Sequence, residues 1–363
     1  MHRQGGVVTA TSHDRRIAFA GHELTGAVGD AVTVLPIVVS VAVLTDLSLA
    51  LMLAWFGLAQ VAWGLYYGLP MSVEPMKALA ALVISGALTA EEYLAAGLLA
   101  GVALLVVGAT RALDRIDAYV GAPVVRGIQL GVALLLLETG VGLAAADLTS
   151  AAAGTAVAAV VFAAGCRKAS GLAVLAVGGV LAAATTGFTL PSLPAVEAGV
   201  PRGAFSPAAA EATVAQLGMT VGNAAVATSL LVGEFYDRDV SADELATSMG
   251  VTNLLAVPFG GVPMCHGSGG LAGKHAFGAR TAGANLLLGA LYVAVAVSAV
   301  GVVRAFPLPM LGVVLAVVAG ELGRAGLNTS SDPLTAAVAA VGVLTNLAVA
   351  FVVGVAAWTV LRR

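Results

Sequence analysis

Pro263-Met264-Cys265-His266-Gly267-Ser268-Gly269-Gly270-Leu271-Ala272-Gly273 is the stretch whose residue types best suit ligand chemistry. It interrupts an otherwise apolar chain. Glycine inside a helix costs about 1 kcal/mol relative to alanine, so this run predicts a break rather than an ordinary membrane helix. Irregular backbone at membrane depth survives only where protein buries it or a wet cavity lies beside it. The expected form is a break and then a short helix whose N-terminal amides face a cavity, an arrangement that binds anions. Pro70-Met71-Ser72-Val73-Glu74-Pro75-Met76-Lys77-Ala78-Leu79 opens on the same Pro-Met pair 193 residues earlier. The same offset relates Val28-Gly29-Asp30-Ala31 to Val221-Gly222-Asn223-Ala224. Two interrupted segments in matching halves point to the substrate site of a carrier.

Ionisable residues inside apolar spans are few: Asp30, Glu74, Lys77, Arg126, Glu138, His266 and Glu321. Such residues are expensive in lipid and mark function by default. Asp30 reads as a proton or cation site, or as a cap at the helix end. Glu74 and Lys77 stand three apart and would share one face of a helix. They read as part of the site or as an ion pair that steadies the break. Arg126, Glu138 and Glu321 read as interfacial or interhelical partners. Asn223 stands where the other half has Asp30, and could bond substrate or join helices. Cys265 and His266 are adjacent, so their side chains diverge on a helix, and no further ligand lies near. Neither a metal nor a cofactor is expected.

The elements that must position these residues are membrane spans. The chain of 363 residues is 59% hydrophobic and 10% charged, with a mean hydropathy of +0.99. A soluble domain carries about 25% charged residues. The net charge of −3 is spread over loops, and no basic stripe favours nucleic acid. Two cysteines, Cys166 and Cys265, make no disulfide framework. No removable signal peptide and no soluble C-terminal domain are expected.

A crossing helix needs about 20 apolar residues. The first half yields spans at 26–45, 47–67, 71–88 after a break, 93–110, 119–142, 149–165 and 170–187. The second yields 211–233, 245–262, 264–279 after a break, 281–303, 307–323, 333–347 and 349–361, the last two short enough to be one tilted span. An odd count per half inverts the second half relative to the first. The domains expected are a first repeat at 1–187, an extracellular linker at 188–210 and a second repeat at 211–363. With the N-terminus inside, thirteen basic residues fall in cytoplasmic segments, Arg111, Arg167, Lys168, Lys274 and Arg280 among them, against Arg202 and Arg304 outside. That asymmetry supports a multi-pass cell-membrane protein with both termini cytoplasmic.

Four blocks resemble the molybdate transporter family, distant relatives of the sulfate permeases. They are Glu23 to Asp30, Pro70 to Ala78, Val124-Val125-Arg126-Gly127-Ile128-Gln129-Leu130-Gly131, and Pro263 to Gly273 continuing to Phe277-Gly278-Ala279-Arg280-Thr281. Their order and spacing cover nearly the whole chain. The chain carries Glu74 where the family usually shows Gln, and Val32 where it often shows Gly. The resemblance implies an all-α polytopic membrane protein with the inverted seven-plus-seven transmembrane repeat of sulfate permeases and nucleobase transporters. It also implies two broken half helices meeting at mid-membrane with substrate between their N-termini. Homodimers whose core domain moves against a gate domain are implied as well.

The expected function is secondary active transport of a tetrahedral oxyanion, molybdate first, coupled to protons. Sulfate or tungstate is the alternative on the same fold. A nucleobase carrier would want aromatic groups beside the half helices, where only Phe259 and Phe277 are near. A passive anion channel ranks behind, and no nucleophile with a base at suitable spacing suggests an enzyme. The substrate-binding set expected is Ser72, Glu74, Lys77, Asn223, His266, Gly267, Ser268 and Gly269. Glu74 and then Asp30 are the proton-coupling candidates.

Overall fold

The computed structural model describes residues 17–186, 199, 203–298, 305–327 and 333–362. Lipid offers backbone groups no partner, so apolar runs close their hydrogen bonds within helices. The first half contains α1 (Gly21–Leu44), α2 (Leu49–Tyr67), a two-residue strand β1 (Glu74–Pro75), α3 (Lys77–Ile84) and α4 (Ala90–Ala109). It continues with α5 (Leu113–Val120), α6 (Ala122–Ala144), α7 (Leu148–Ala163) and α8 (Ser170–Thr186). The second half contains α9 (Pro207–Met219), a π-helical turn (Thr220–Val226), α10 (Ala227–Tyr236), α11 (Ala242–Ala256), β2 (Met264–Cys265) and α12 (Ser268–Ala276). It ends with α13 (Gly283–Ser298), α14 (Leu308–Leu327), α15 (Pro333–Leu344) and α16 (Leu347–Leu361). Among the described residues, seven helical stretches are long and apolar enough to cross a membrane.

The breaks satisfy each other. β1 pairs antiparallel with β2, Glu74 opposite Cys265 and Pro75 opposite Met264, and Met76 N donates to Pro263 O at 2.9 Å. Buried backbone groups must find partners, so each break needs the other. Side-chain amides of neighbouring helices complete the set. Asn253 Nδ2 donates to Met264 O and Asn253 Oδ1 accepts from Met264 N, both at 2.8 Å. Gln60, 193 residues before Asn253, donates to Val73 O at 3.3 Å.

Packing repeats with the halves exchanged. α2 packs on α13 as α4 does on α11, and α1 on α12 as α3 does on α9. α6 takes α15 and α16, while its counterpart α14 takes α7 and α8, and α6 packs on α14. The same exchange shows at close crossings, Gly57 against Gly289 and Gly101 against Gly250. This is the inverted seven-plus-seven repeat with two half helices.

The chain departs from the expected spans at two places. α5 carries Asp114, Arg115 and Asp117, too polar for a span, and lies between the fourth and fifth crossings. The eighth span begins at Pro207, where Ser206 caps it by accepting from Ala209 N, so its first turn takes up residues assigned to the linker. The last two spans are separate helices, as drawn, because Asn346 starts a new one by accepting from Val349 N. The rest of the expected linker, apart from Gly199 and residues 203–206, lies outside the described residues. So do Arg3, Arg15, Arg16, Arg202, Arg304 and Arg363.

Candidate functional site

The two half helices begin differently. At α3, Gln216 Oε1 on α9 accepts from Ala78 N at 2.9 Å and Leu79 N at 3.2 Å. At α12, Gly267 is the N-cap, and among the described residues no side chain accepts from the amides of the first turn. The amides of a first helical turn have no intrahelical acceptor, so α12 keeps an uncapped positive end.

Three glycines give that turn three surfaces. A Cβ on Gly267 would collide with the Glu74 carboxylate. One on Gly270 would collide with Ser72 Oγ, Asp30 Oδ1 and Glu74 Oε1. One on Gly269 would meet nothing within 4 Å. Gly267 and Gly270 thus admit two carboxylates against the helix start, and Gly269 faces open space.

Both carboxylates are buried and paired. Glu74 pairs with Lys77, and its Oε1 accepts from Thr33 Oγ1 at 3.1 Å. Asp30 accepts from Ser72 Oγ at 2.7 Å and from Gln60 Nε2 at 2.6 Å, and faces Lys274 Nζ at 3.1 Å. Lys274 also donates to Gln60 Oε1, Met71 O and Asn285 Oδ1 at 2.7–2.8 Å. The sequence reading set Lys274 among cytoplasmic charges. Instead it is fully buried, because the half helix carries it back into the core. One signal could have found it: Asp30 at membrane depth needs a counter-ion, and the opposing half helix supplies a lysine.

A cavity of about 270 Å³ opens beside α12. Lys77, Asn223, Ser268 and Gly269 line it, with Thr33, Val32 and Gln129. Lys168 and Glu321 also line it, and Glu321 is held by Arg167 at 2.9 and 3.4 Å. Ser268 Oγ donates to Asn223 Oδ1 at 2.5 Å. Asn223 sits in the π turn, a distortion that occurs often at functional sites. Among the described residues no aromatic one lines the cavity, and neither Phe259 nor Phe277 reaches it.

Of the expected set, the fold brings Lys77, Asn223, Ser268 and Gly269 to the cavity wall. Ser72, Glu74, Gly267 and Asp30 form the layer behind it. His266 lies elsewhere: its Nδ1 meets Ser72 O at 2.8 Å and its Nε2 meets Ser248 Oγ at 2.7 Å, edge-on to Trp63 and Tyr67. It ties the second break to α2 and α11. Sequence reasoning passed over Thr33, Gln129 and Gln216. Gln129 lay in a quoted block; Thr33 and Gln216 carried no signal, because their roles depend on helix rotation.

The arrangement offers an anion two ammonium groups, Lys168 and the Glu74-paired Lys77, with uncapped amides and several side-chain donors. The cavity has the size of a small oxyanion with some water.

The profile of a family described as molybdate transporter of MFS superfamily matches residues 22–136 and 208–322, one segment in each half. The chain is similar to Molybdate transporter 2 of Arabidopsis thaliana, 29% identical over 94% of this chain and 87% of that one. It is likewise similar to Molybdate transporter 1 of the same plant, 29% identical over 92% and 86%. Among solved structures it resembles the transmembrane domain of the cyanobacterial bicarbonate transporter BicA, with a TM-score of 0.66, 14% identity and coverage of 91% and 97%. It also resembles the murine solute carrier 26 family member A9 anion transporter in the inward-facing state, with a TM-score of 0.67, 13% identity and coverage of 94% and 68%. At such identities these two likenesses establish the fold.

Proposed function

The chain belongs to the molybdate transporter family, and we propose on that premise that it carries molybdate across a cell membrane by proton-coupled secondary transport. The observation that carries the reading is the uncapped start of α12, set beside Lys77 in a cavity with no aromatic lining among the described residues. A helix N-terminus contributes up to about 2 kcal/mol to a partly buried anion. Nucleobase recognition would need stacking partners, which the described residues do not supply in this cavity. The cavity opens beside Arg167 and Lys168, the side that positive-inside asymmetry makes cytoplasmic, so the conformation reads as inward-open with both termini inside. Repeats at 1–187 and 211–363 and a homodimeric assembly belong to the same proposal.

Charge balance supports proton coupling. Asp30 with Lys274 and Glu74 with Lys77 sum to zero, so a dianion would meet little net positive charge. Protonating Glu74 removes one negative charge beside the site and releases Lys77 to the substrate. Bound substrate then favours the protonated carboxyl, and by linkage low pH favours binding. Labelled molybdate uptake into proteoliposomes tests the reading, with sulfate, tungstate and uracil as competitors and an imposed proton gradient. Accumulation against a molybdate gradient, driven by inward protons, is expected. Equilibration without accumulation would make the protein a channel, and stronger competition by sulfate would reassign the substrate.

A further inference from the structure

Two groups of helices wall the cavity at α12. Lys77, Asn223 and Ser268 come from α3, the π turn and α12, which pack among α1, α9 and α10. Gln129, Lys168 and Glu321 come from α6, a 3-10 turn at Arg167–Ala169 and α14, and α14 packs on α6, α7 and α8. The turn that carries Lys168 is tied on both sides. Arg167 is ion-paired with Glu321 at 2.9 Å, and Ser170 Oγ donates to Arg167 O at 2.7 Å. Lys168 itself is exposed, and among the described residues no hydrogen bond or ion pair engages it. A fixed turn thus presents an untied ammonium to the cavity. The sequence reading counted Lys168 only as one more cytoplasmic charge.

The charges around the cavity give that ammonium a role. Asp30 with Lys274, and Glu321 with Arg167, each sum to zero. Glu74, once protonated, leaves Lys77 with one positive charge. That charge balances half of a dianion, and Lys168 supplies the other half. A charge left unbalanced between low-dielectric walls is costly. We infer that Lys168 selects the valence of the ligand: with Lys77 it makes the loaded site neutral for a divalent oxyanion and not for a monovalent one. The inference rests on the oxyanion-carrier reading and deepens it by naming the residue that sets the preferred charge. Coulomb energy is proportional to the charge of the ligand. Removing Lys168 therefore costs a dianion twice the free energy that it costs a monoanion in the same place. The fold change in affinity for the dianion is then the square of that for the monoanion.

Competition binding to the purified full chain in lipid nanodiscs tests it, at fixed pH and low ionic strength, because salt screens an exposed charge. Labelled molybdate is the probe. Sulfate stands for the dianions, and perchlorate, tetrahedral and singly charged, for the monoanions. Hydration differs between these anions but is common to all variants, so the change in their affinity ratio is the readout. Lys168→Gln should weaken molybdate and sulfate about tenfold and perchlorate about threefold. Lys168→Arg keeps the charge and should keep the ratio. Lys168→Met is a second neutral replacement should the glutamine variant not be monodisperse. Equal losses for both valences, or no loss, in a folded neutral variant overturn the inference and leave the carrier reading standing. Binding of labelled sulfate without molybdate would reassign the substrate, and the same ratio read with sulfate as the probe would still decide on Lys168. Binding of no oxyanion overturns both.

Discussion

Lys274 Nζ lies 3.1 Å from Asp30 Oδ2, and both side chains are fully buried. The contact joins the second half helix to α1. Removing one member of a buried pair costs about 3–5 kcal/mol, because the other charge is left unpaired. We expect Lys274→Met and Asp30→Asn each to lower the melting temperature sharply, and the double variant to recover part of the loss. Fluorescence-detected melting of the purified protein reads this. An Asp30→Asn protein that melts like wild type but has lost uptake would instead make Asp30 a transport group.

Glu74 carries the pH prediction. Glu74→Gln imitates the protonated carboxyl, so it should bind molybdate well at neutral pH and lose most of the stimulation by acid. Asp147 provides a control outside the spans. Hydrogen bonds from the Ser150 hydroxyl and the Thr149 amide hold its carboxyl below the usual range. It therefore stays ionised as the pH falls through the range where ordinary carboxylates protonate, and Asp147→Asn should leave the profile unchanged. An unaltered profile in Glu74→Gln would reduce Glu74 to the structural partner of Lys77.

Ser268 and Asn223 should act as a unit, since the serine hydroxyl donates to the asparagine carbonyl. That bond turns the Asn223 amide N–H toward other acceptors, and Asn223 lines the cavity. Ser268→Ala and Asn223→Ala should each weaken molybdate binding, by about 1.5–3 kcal/mol where a hydrogen bond to the charged ligand is lost. The double variant should fall short of the sum by at least about 0.5 kcal/mol. A thermodynamic cycle from equilibrium binding measures the coupling, and strict additivity would separate the two roles.

Gly267 and Gly269 are two residues apart and should fail differently. Gly267→Ala drives a methyl into the Glu74 carboxylate, so folded yield and melting temperature should drop. Gly269→Leu enters open cavity space, so the protein should fold and bind no substrate. Size-exclusion profiles beside uptake distinguish them. Normal uptake by Gly269→Leu would remove the start of α12 from the site.

Much of this fold was legible because the bilayer imposes few solutions. Apolar runs near 20 residues must become helices, and glycine-rich or Pro-Met interruptions must find cover at depth. The shared 193-residue offset exposed the repeat, which the structure renders as packing pairs with the halves exchanged. Lys77, Asn223, Ser268 and Gly269 could be nominated because polar and small residues are conspicuous in such surroundings.

What those residues touch was decided by tertiary structure. Helix rotation put Gln216 over the amides of α3 and left α12 uncapped. It turned Lys274 inward to Asp30, where a count of charges by segment had placed it in the cytoplasm. It drew His266 away to Ser72 and Ser248, although it neighbours the glycine run in sequence. Hydropathy reports how deep a residue lies. It does not report which way the residue faces, because facing is set by contacts between helices far apart in the chain.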